Sequence, residues 1–328
     1  MKNYKIILKT AGQISQLPDS QKIFGTLITA VARKIGDEKT ANFVRSVYNK
    51  EVHLAFSNIF PLDYFPVPLD YIVEQLASKT PEWESLKEQR AEIKKRAYVK
   101  VSDLNSIIKR PEMCSNLFPY VKASYGQQLR AHVESVDYGI EGLETKLYTV
   151  PTLVLQEVTD LKTTNPITEF WFFMQGEEGE LLASVLEMLE KLIISEETLV
   201  LGKRASQGLN RYRIIDVDQI ELPKIHSRTY LNLGMLLPDR VDFRLSTLKL
   251  FTSERRPFAM AGGWNQKSEK WFVSFIDNGS IVVLNDGIKH AGRCVTSPYN
   301  EARDIVFGNS FLYPVALQEV DKNEKNFL

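Results

Sequence analysis

Cysteine is nearly missing from this chain of 328 residues: only Cys114 and Cys294 occur, far apart and without histidines at ligand spacing. That excludes a disulfide framework and a zinc-ribbon type of site. Net charge is also missing, with 41 basic and 41 acidic side chains. A free-standing, indiscriminate DNA binder would carry a strong basic excess. RNA held in a local groove remains compatible with this balance. No run of 18 apolar residues occurs, and the opening MKNYKIILKTAGQ has no apolar signal region. No membrane span is expected, and a cytoplasmic location follows as the expectation. Histidine is scarce too: His53, His132, His226 and His290 are the full set. What is present in quantity is apolar residues, 44% of the chain, enough for a sizeable core and for two domains.

The most distinctive stretch runs from Leu201 to Tyr212, LGKRASQGLNRY. Gly202 and Gly208 tolerate positive φ and let consecutive backbone N–H groups converge on one point. Lys203 and Arg204 add charge there, and Ser206 and Gln207 add neutral donors. This inventory suits a phosphate of a nucleic-acid backbone. It is not a nucleotide-triphosphate loop, because Lys203 is followed by Arg204 and the element order is reversed. An ordinary solvated surface loop has the same composition. Upstream, Leu181, Leu182, Val185, Leu186, Leu189, Leu192 and Ile193 recur at helical spacing. Downstream, Arg211 to Val217 reads as a strand. The loop is therefore expected between a helix and a strand.

Taken in order, Tyr4 to Lys9 is a strand and Thr10 to Gln13 a turn. Pro18-Asp19-Ser20 opens a helix whose apolar stripe is Ile23, Phe24, Leu27, Ile28, Val31 and Ile35, closed by Gly36. A short helix is expected over Ala41 to Asn49. Val52 to Phe60 reads as extended, and Phe60 to Pro68 as a connection rich in proline and aromatics. Trp83 to Arg96 reads as an exposed helix, Tyr98 to Val101 as a strand, and Ser102-Asp103-Leu104 as another helix start. Leu129 to Val136 and Lys146 to Val158 read as the arms of a β-hairpin, with a tip at Asp137 to Gly142. Thr168 to Gln175 is a buried strand. After Pro223 the pattern restarts: Val241 to Phe251 is extended, Asp277-Asn278-Gly279-Ser280 is a hairpin turn, and Phe311 to Ala316 is a last strand. The fold class is α+β: residues 1–222 follow the element order of a ferredoxin-like (RRM-like) unit with insertions, and after a boundary near Leu222 a second domain is expected over 223–328.

These stretches resemble the RAMP superfamily of CRISPR proteins, and within it the Csm-type subunit four (Cas-five-like) of type III-A effector complexes. Four segments carry the resemblance: the strand, turn and helix start that reads Ser20-Gln21-Lys22-Ile23-Phe24-Gly25-Thr26-Leu27; the segment Phe60 to Pro68; the strand Arg96 to Val101; and the loop Gly202 to Gly208. The family often has His-Phe-Gly after its first strand, where this chain has Ala11-Gly12-Gln13, and an aspartate where this chain has Gln21.

The resemblance implies tandem ferredoxin-like domains, a hairpin thumb at about 129–158, no cofactor and no catalysis. It implies binding of the 5′ handle of the CRISPR RNA, and a place between a Cas-ten-type (Csm-one) large subunit and a Csm-three-type backbone subunit in antiviral defence. RNA contacts are then expected from Gly12, Gln13, Ser20, Gln21, Lys22, Arg130, His132, Gly202, Lys203, Arg204, Ser206, Gln207 and Gly208. A helix N-terminus at Ser20 to Lys22 would add unpaired N–H groups for an anion. Two other classes stay open: a guide-processing endoribonuclease using His132 as acid or base, and a protein-only scaffold. Asp216 and Asp218 lie two apart on one strand face, without a third carboxylate for two-metal cleavage. Trp264, near Arg255-Arg256, reads as a covered residue of a glycine-bearing connection.

Overall fold

The computed structural model describes residues 1–79, 83–132, 146–202, 207–225, 227–255, 271–288, 290–297 and 300–317. The chain opens with β1 (Lys2–Thr10), whose Ile6 and Leu8 point inward and are fully buried. Helix α1 (Ser20–Ile35) is capped by the Asp19 carboxylate and buries Ile23, Phe24, Leu27 and Val31. Helix α2 (Asp37–Tyr48) follows directly and starts earlier than its apolar spacing suggests, because Asp37 and Glu38 suit a helix N-terminus. Strand β2 (Leu54–Phe56) is fully buried.

A long insertion comes next: β3 (Phe60–Pro61), β4 (Tyr64–Pro66), α3 (Leu69–Ala77), α4 (Trp83–Lys95), β5 (Tyr98–Lys100), α5 (Val101–Lys109), β6 (Tyr120–His132), β7 (Lys146–Val158) and β8 (Thr164–Pro166). β6 and β7 pair over their whole length, from Tyr120↔Val158 to His132↔Lys146. The hairpin is therefore real, but its first arm starts at Tyr120 and not at Leu129. Its early part escaped apolar patterning because Gly126, Gln127 and Gln128 interrupt it. The tip lies outside the described residues. The insertion's own sheet runs β4-β5-β6-β7-β8.

The first unit resumes with β9 (Glu169–Gly176), α6 (Glu180–Ser195), β10 (Thr198–Val200) and β11 (Arg211–Ile220). Its sheet order is β10-β11-β1-β9-β2, all antiparallel, with β3 also on β9. Two helical crossovers, through α1 and α6, give the βαββαβ connectivity with the insertion between its second and third strands. β9 is buried on both faces, which is why it reads as a continuous apolar run. Phe170, Phe172 and Met174 join the core under α1 and α6. Trp171 and Phe173 join a second core, shared by the insertion and by Leu231, Leu233 and Phe311 of the later chain.

The later chain holds β12 (Thr229–Asn232), β13 (Leu250–Arg255), β14 (Trp271–Ile276), β15 (Ile281–Val283), β16 (Val295–Ser297), β17 (Asn300–Val306) and β18 (Leu312–Pro314). They form the sheet β15-β12-β18 and the pairs β13-β14 and β16-β17. Among the described residues after 222 there is no helix, so a second ferredoxin-like unit is not formed by them. Asp277 to Ser280 does turn, with Gly279 at φ 84°. Yet β14 pairs with β13 and β15 with β12, so the turn joins two sheets and not a hairpin. Tertiary pairing overrode the local signal. The halves meet closely: a Cβ on Gly234 would lie 2.5 Å from the Phe56 carbonyl oxygen.

Candidate nucleic-acid interface

The turn after β1 is stitched to three elements by backbone hydrogen bonds. Ala11 N–H donates to the Arg211 carbonyl (2.9 Å), Asn210 N–H to the Gln13 carbonyl (3.0 Å), and Leu153 N–H of β7 to the Ile14 carbonyl (2.8 Å). The first strand's exit, the base of the glycine-rich loop and one arm of the long hairpin thus converge on residues 11–14. Asn210 organises the junction. It is fully buried, sits at φ 58°, and its side chain accepts from Ser15 N–H (2.9 Å) and donates to the Ser15 hydroxyl (2.9 Å). A left-handed backbone suits asparagine better than most residues.

Gly202 (φ 142°) and Gly208 (φ 74°) both take the backbone that favours glycine. A Cβ on Gly12 would stand 3.0 Å from the Gly208 carbonyl oxygen, so the two loops touch through their glycines. Gly12, Gln13 and Gly208 are exposed, while Gly202 and Gln207 are half-buried. Lys203, Arg204 and Ser206 lie outside the described residues. The loop connects β10 to β11 and not a helix to a strand. Its three-residue β10, Thr198 to Val200, pairs with Arg211 to Arg213 and is too short to show as a pattern.

Other expected contacts sit elsewhere. Ser20 is fully buried: its hydroxyl accepts from Met235 N–H (2.9 Å) and its N–H donates to Asn58 Oδ1 (2.8 Å). It joins the two halves of the chain and is not a surface contact. The N-terminus of α1 is already occupied by the Asp19 carboxylate, which accepts from Lys22 N–H (2.9 Å) and pairs with the Lys22 ammonium. An external anion would meet that negative charge first. Gln21 is half-buried beside it. Arg130 donates to Gln128 Oε1 along its own strand (3.1 and 3.0 Å). Its partner Tyr148 lies five residues from Leu153, roughly 17 Å along β7 from the junction. His132 pairs with Lys146 at the end of β6, and its side chain lies outside the described part.

Sequence reasoning did not single out a groove of about 1020 Å³ beside the junction. It begins at Gln16, directly after the turn, and passes the end of α4, β6 and the Asp277–Gly279 turn. Six cations line it (Lys22, Lys94, Lys95, Arg96, Lys122 and Lys249) against three aspartates (Asp19, Asp70 and Asp277). Arg96 is almost fully buried. Its guanidinium lies over the rings of Tyr120 (4.6 Å) and Phe118 (5.6 Å) and donates to the Glu92 carbonyl (2.8 Å). The one sequence cue was alternation of cations and aromatics in Lys94-Lys95-Arg96-Ala97-Tyr98 and Tyr120-Val121-Lys122.

Two histidines meet at the seam between the halves, His53 before β2 and His290 in the later chain, with ring centroids 4.5 Å apart. His53 bonds Gln175 Oε1 (3.1 Å). Burial, and then the neighbouring His290, push the His53 imidazole down to about 4. Burial also lowers His290. Among the described residues no cluster of three or more His, Cys, Asp or Glu could hold a metal ion. No helix among them is long and apolar enough to cross a membrane.

No protein-family model and no curated protein sequence matches the chain. Solved structures do. A chain of the Csm1–Csm4 cassette in complex with cA4 matches with a TM-score of 0.54 at 16% identity, over 97% of this chain and 100% of that one. The same cassette in complex with pppApA matches at 0.53 and 15% identity, over 98% and 100%. A chain of the Csm3–Csm4 subcomplex in the type III-A CRISPR-Cas interference complex matches at 0.52 and 13% identity, over 96% and 100%. At these identities the shared property is the fold, and it extends over nearly the whole chain.

Proposed function

We propose that this chain is a non-catalytic, cytoplasmic subunit of a type III-A CRISPR ribonucleoprotein, the counterpart of Csm subunit four. In this reading its first unit is ferredoxin-like, and it holds the 5′ handle of the CRISPR RNA. It bridges a Cas-ten-type large subunit to a Csm-three-type backbone subunit. The fold likeness to chains from Csm1–Csm4 and Csm3–Csm4 assemblies supports the subunit reading and the choice of partners. The observation that carries RNA binding is the contact between Gly12 and Gly208. It sets two glycine positions edge to edge, the second in the loop whose sequence also carries Lys203-Arg204, and glycine lets main-chain N–H groups approach a phosphate closely. Single-stranded RNA is held by such backbone contacts together with splayed bases.

The test uses handle-containing guide RNA and the protein assembled with its two partner subunits. The Lys203→Ala/Arg204→Ala double variant should bind guide more weakly and with a shallower salt dependence than the parent. Equal binding by parent and variant removes the loop from the reading. Discrete cleavage of repeat RNA in chelator, lost on His132→Ala, would make the chain an endoribonuclease. Failure of the assembled parent to bind any RNA would make it a protein-only scaffold.

A further inference from the structure

We infer that the groove between the end of α4, β6 and the β13 strand takes a single-stranded polynucleotide, with phosphates on Lys94 and Lys122 and bases stacked on Tyr125 and Phe251. Its lining includes none of the described residues of the glycine-rich loop, and it shares with the proposed function the class of ligand. At about 1020 Å³ the groove lies at the upper end of the range for small-molecule sites.

Its cations are of two kinds. Lys22, Lys95 and Lys249 are paired with Asp19, Glu92 and Asp277. Lys94 and Lys122 make no ion pair with any described residue, so their charge is available to a ligand. Arg96 fixes where they stand. Its contacts to Tyr120 and to the Glu92 carbonyl tie the last turn of α4 to the start of β6. The two ammonium groups are thereby presented from rigid elements, which lowers the ordering cost of binding.

The aromatic residues select the ligand. Tyr125 is 77% exposed and Phe251 45% exposed, and both line the groove. Exposed aromatics scattered singly need no explanation. Two of them among unpaired lysines in one concavity are the composition of a stacking platform. A duplex keeps its bases stacked on one another and gains nothing from these rings. An acidic peptide would use the lysines and leave the rings idle. A single strand uses both.

The experiment is fluorescence anisotropy of a labelled oligouridylate of about twelve nucleotides with the full-length protein. Tyr125→Ala should weaken binding about tenfold or more, as expected for one stacked base. Tyr125→Phe should bind within about twofold of the parent, because the ring is kept. Lys94→Ala/Lys122→Ala should reduce the slope of log K against log salt by about 1.4, the value for two phosphates of a single strand. Lys94 and Tyr125 are exposed and Lys122 is half-buried on the groove wall, so melting temperatures should stay close to the parent. Three results would overturn the inference: a parent that does not bind the oligomer, groove variants that bind like the parent, or a duplex or polyglutamate that competes equally well. Loss in the Lys203→Ala/Arg204→Ala variant with groove variants intact sinks this inference alone. Loss in the groove variants alone leaves it standing and separates it from the glycine-rich loop.

Discussion

Ser15 and Asn210, 195 residues apart, hold each other through backbone and side chain at once. Ser15 N–H donates to Asn210 Oδ1, and Asn210 Nδ2 donates to the Ser15 hydroxyl, each at 2.9 Å. Because Asn210 N–H also donates to the Gln13 carbonyl, one buried residue registers the exit of β1 against the loop that follows β10.

Asn210→Ala removes the side-chain bonds to Ser15 and forces an alanine into a left-handed backbone. It should destabilise the protein by about 2 to 3 kcal/mol in urea unfolding. Asn210→Gly keeps the backbone and should lose about 1 kcal/mol less. Equal losses would show that the backbone conformation contributes nothing.

Gly12→Ala tests the contact between the loops. The new methyl group would stand 3.0 Å from the Gly208 carbonyl oxygen, closer than ordinary van der Waals contact, and both residues are exposed. The loop should give way, with a small change in stability of under about 1 kcal/mol. Guide-RNA affinity should fall by a larger factor. Unchanged affinity would separate this contact from RNA binding.

Ser20→Ala should do the opposite. It leaves the buried Met235 N–H without its acceptor and should cost about 1 to 3 kcal/mol. RNA affinity, corrected for the folded fraction, should match the parent. A selective loss of affinity would restore Ser20 as a contact.

His53 makes stability depend on acid. Its folded pKa of about 4 lies below the ordinary imidazole value of 6.5. Between those values the unfolded chain binds a proton that the folded residue refuses, so stability is full above pH 6.5 and falls toward pH 4. His290 shifts in the same direction. Around the pair, Glu177 and Asp239 favour protonation, whereas Lys50 and Arg240 oppose it. Urea unfolding at pH 7.5 and pH 5 should differ by about 2 kcal/mol from His53 alone. His53→Gln should remove that part of the difference. An equal difference in the variant would place the acid sensitivity elsewhere.

Much of the fold was legible because its signals were local. The Asp19 cap, the Ile23 to Val31 stripe and the Phe170 to Phe173 run each depend on residues within one element. Where partners were distant, local reading failed. Asp277 to Ser280 has hairpin chemistry, yet its flanking strands pair with β13 and β12. Tyr120 to Gln128 has weak strand patterning, yet β7 supplies a partner for every residue. Ser20 looks like a surface serine at a helix start until the later chain covers it.

Hydrophobic periodicity, the capping aspartate and the glycine pair at 202 and 208 are properties of neighbouring residues, and the amino-acid order alone determined them. Which turn Gly208 touches, which serine is sealed, and which lysines share a groove with Tyr125 were decided only on folding. Those outcomes depend on contacts between segments far apart in the chain, and no short-range preference encodes them.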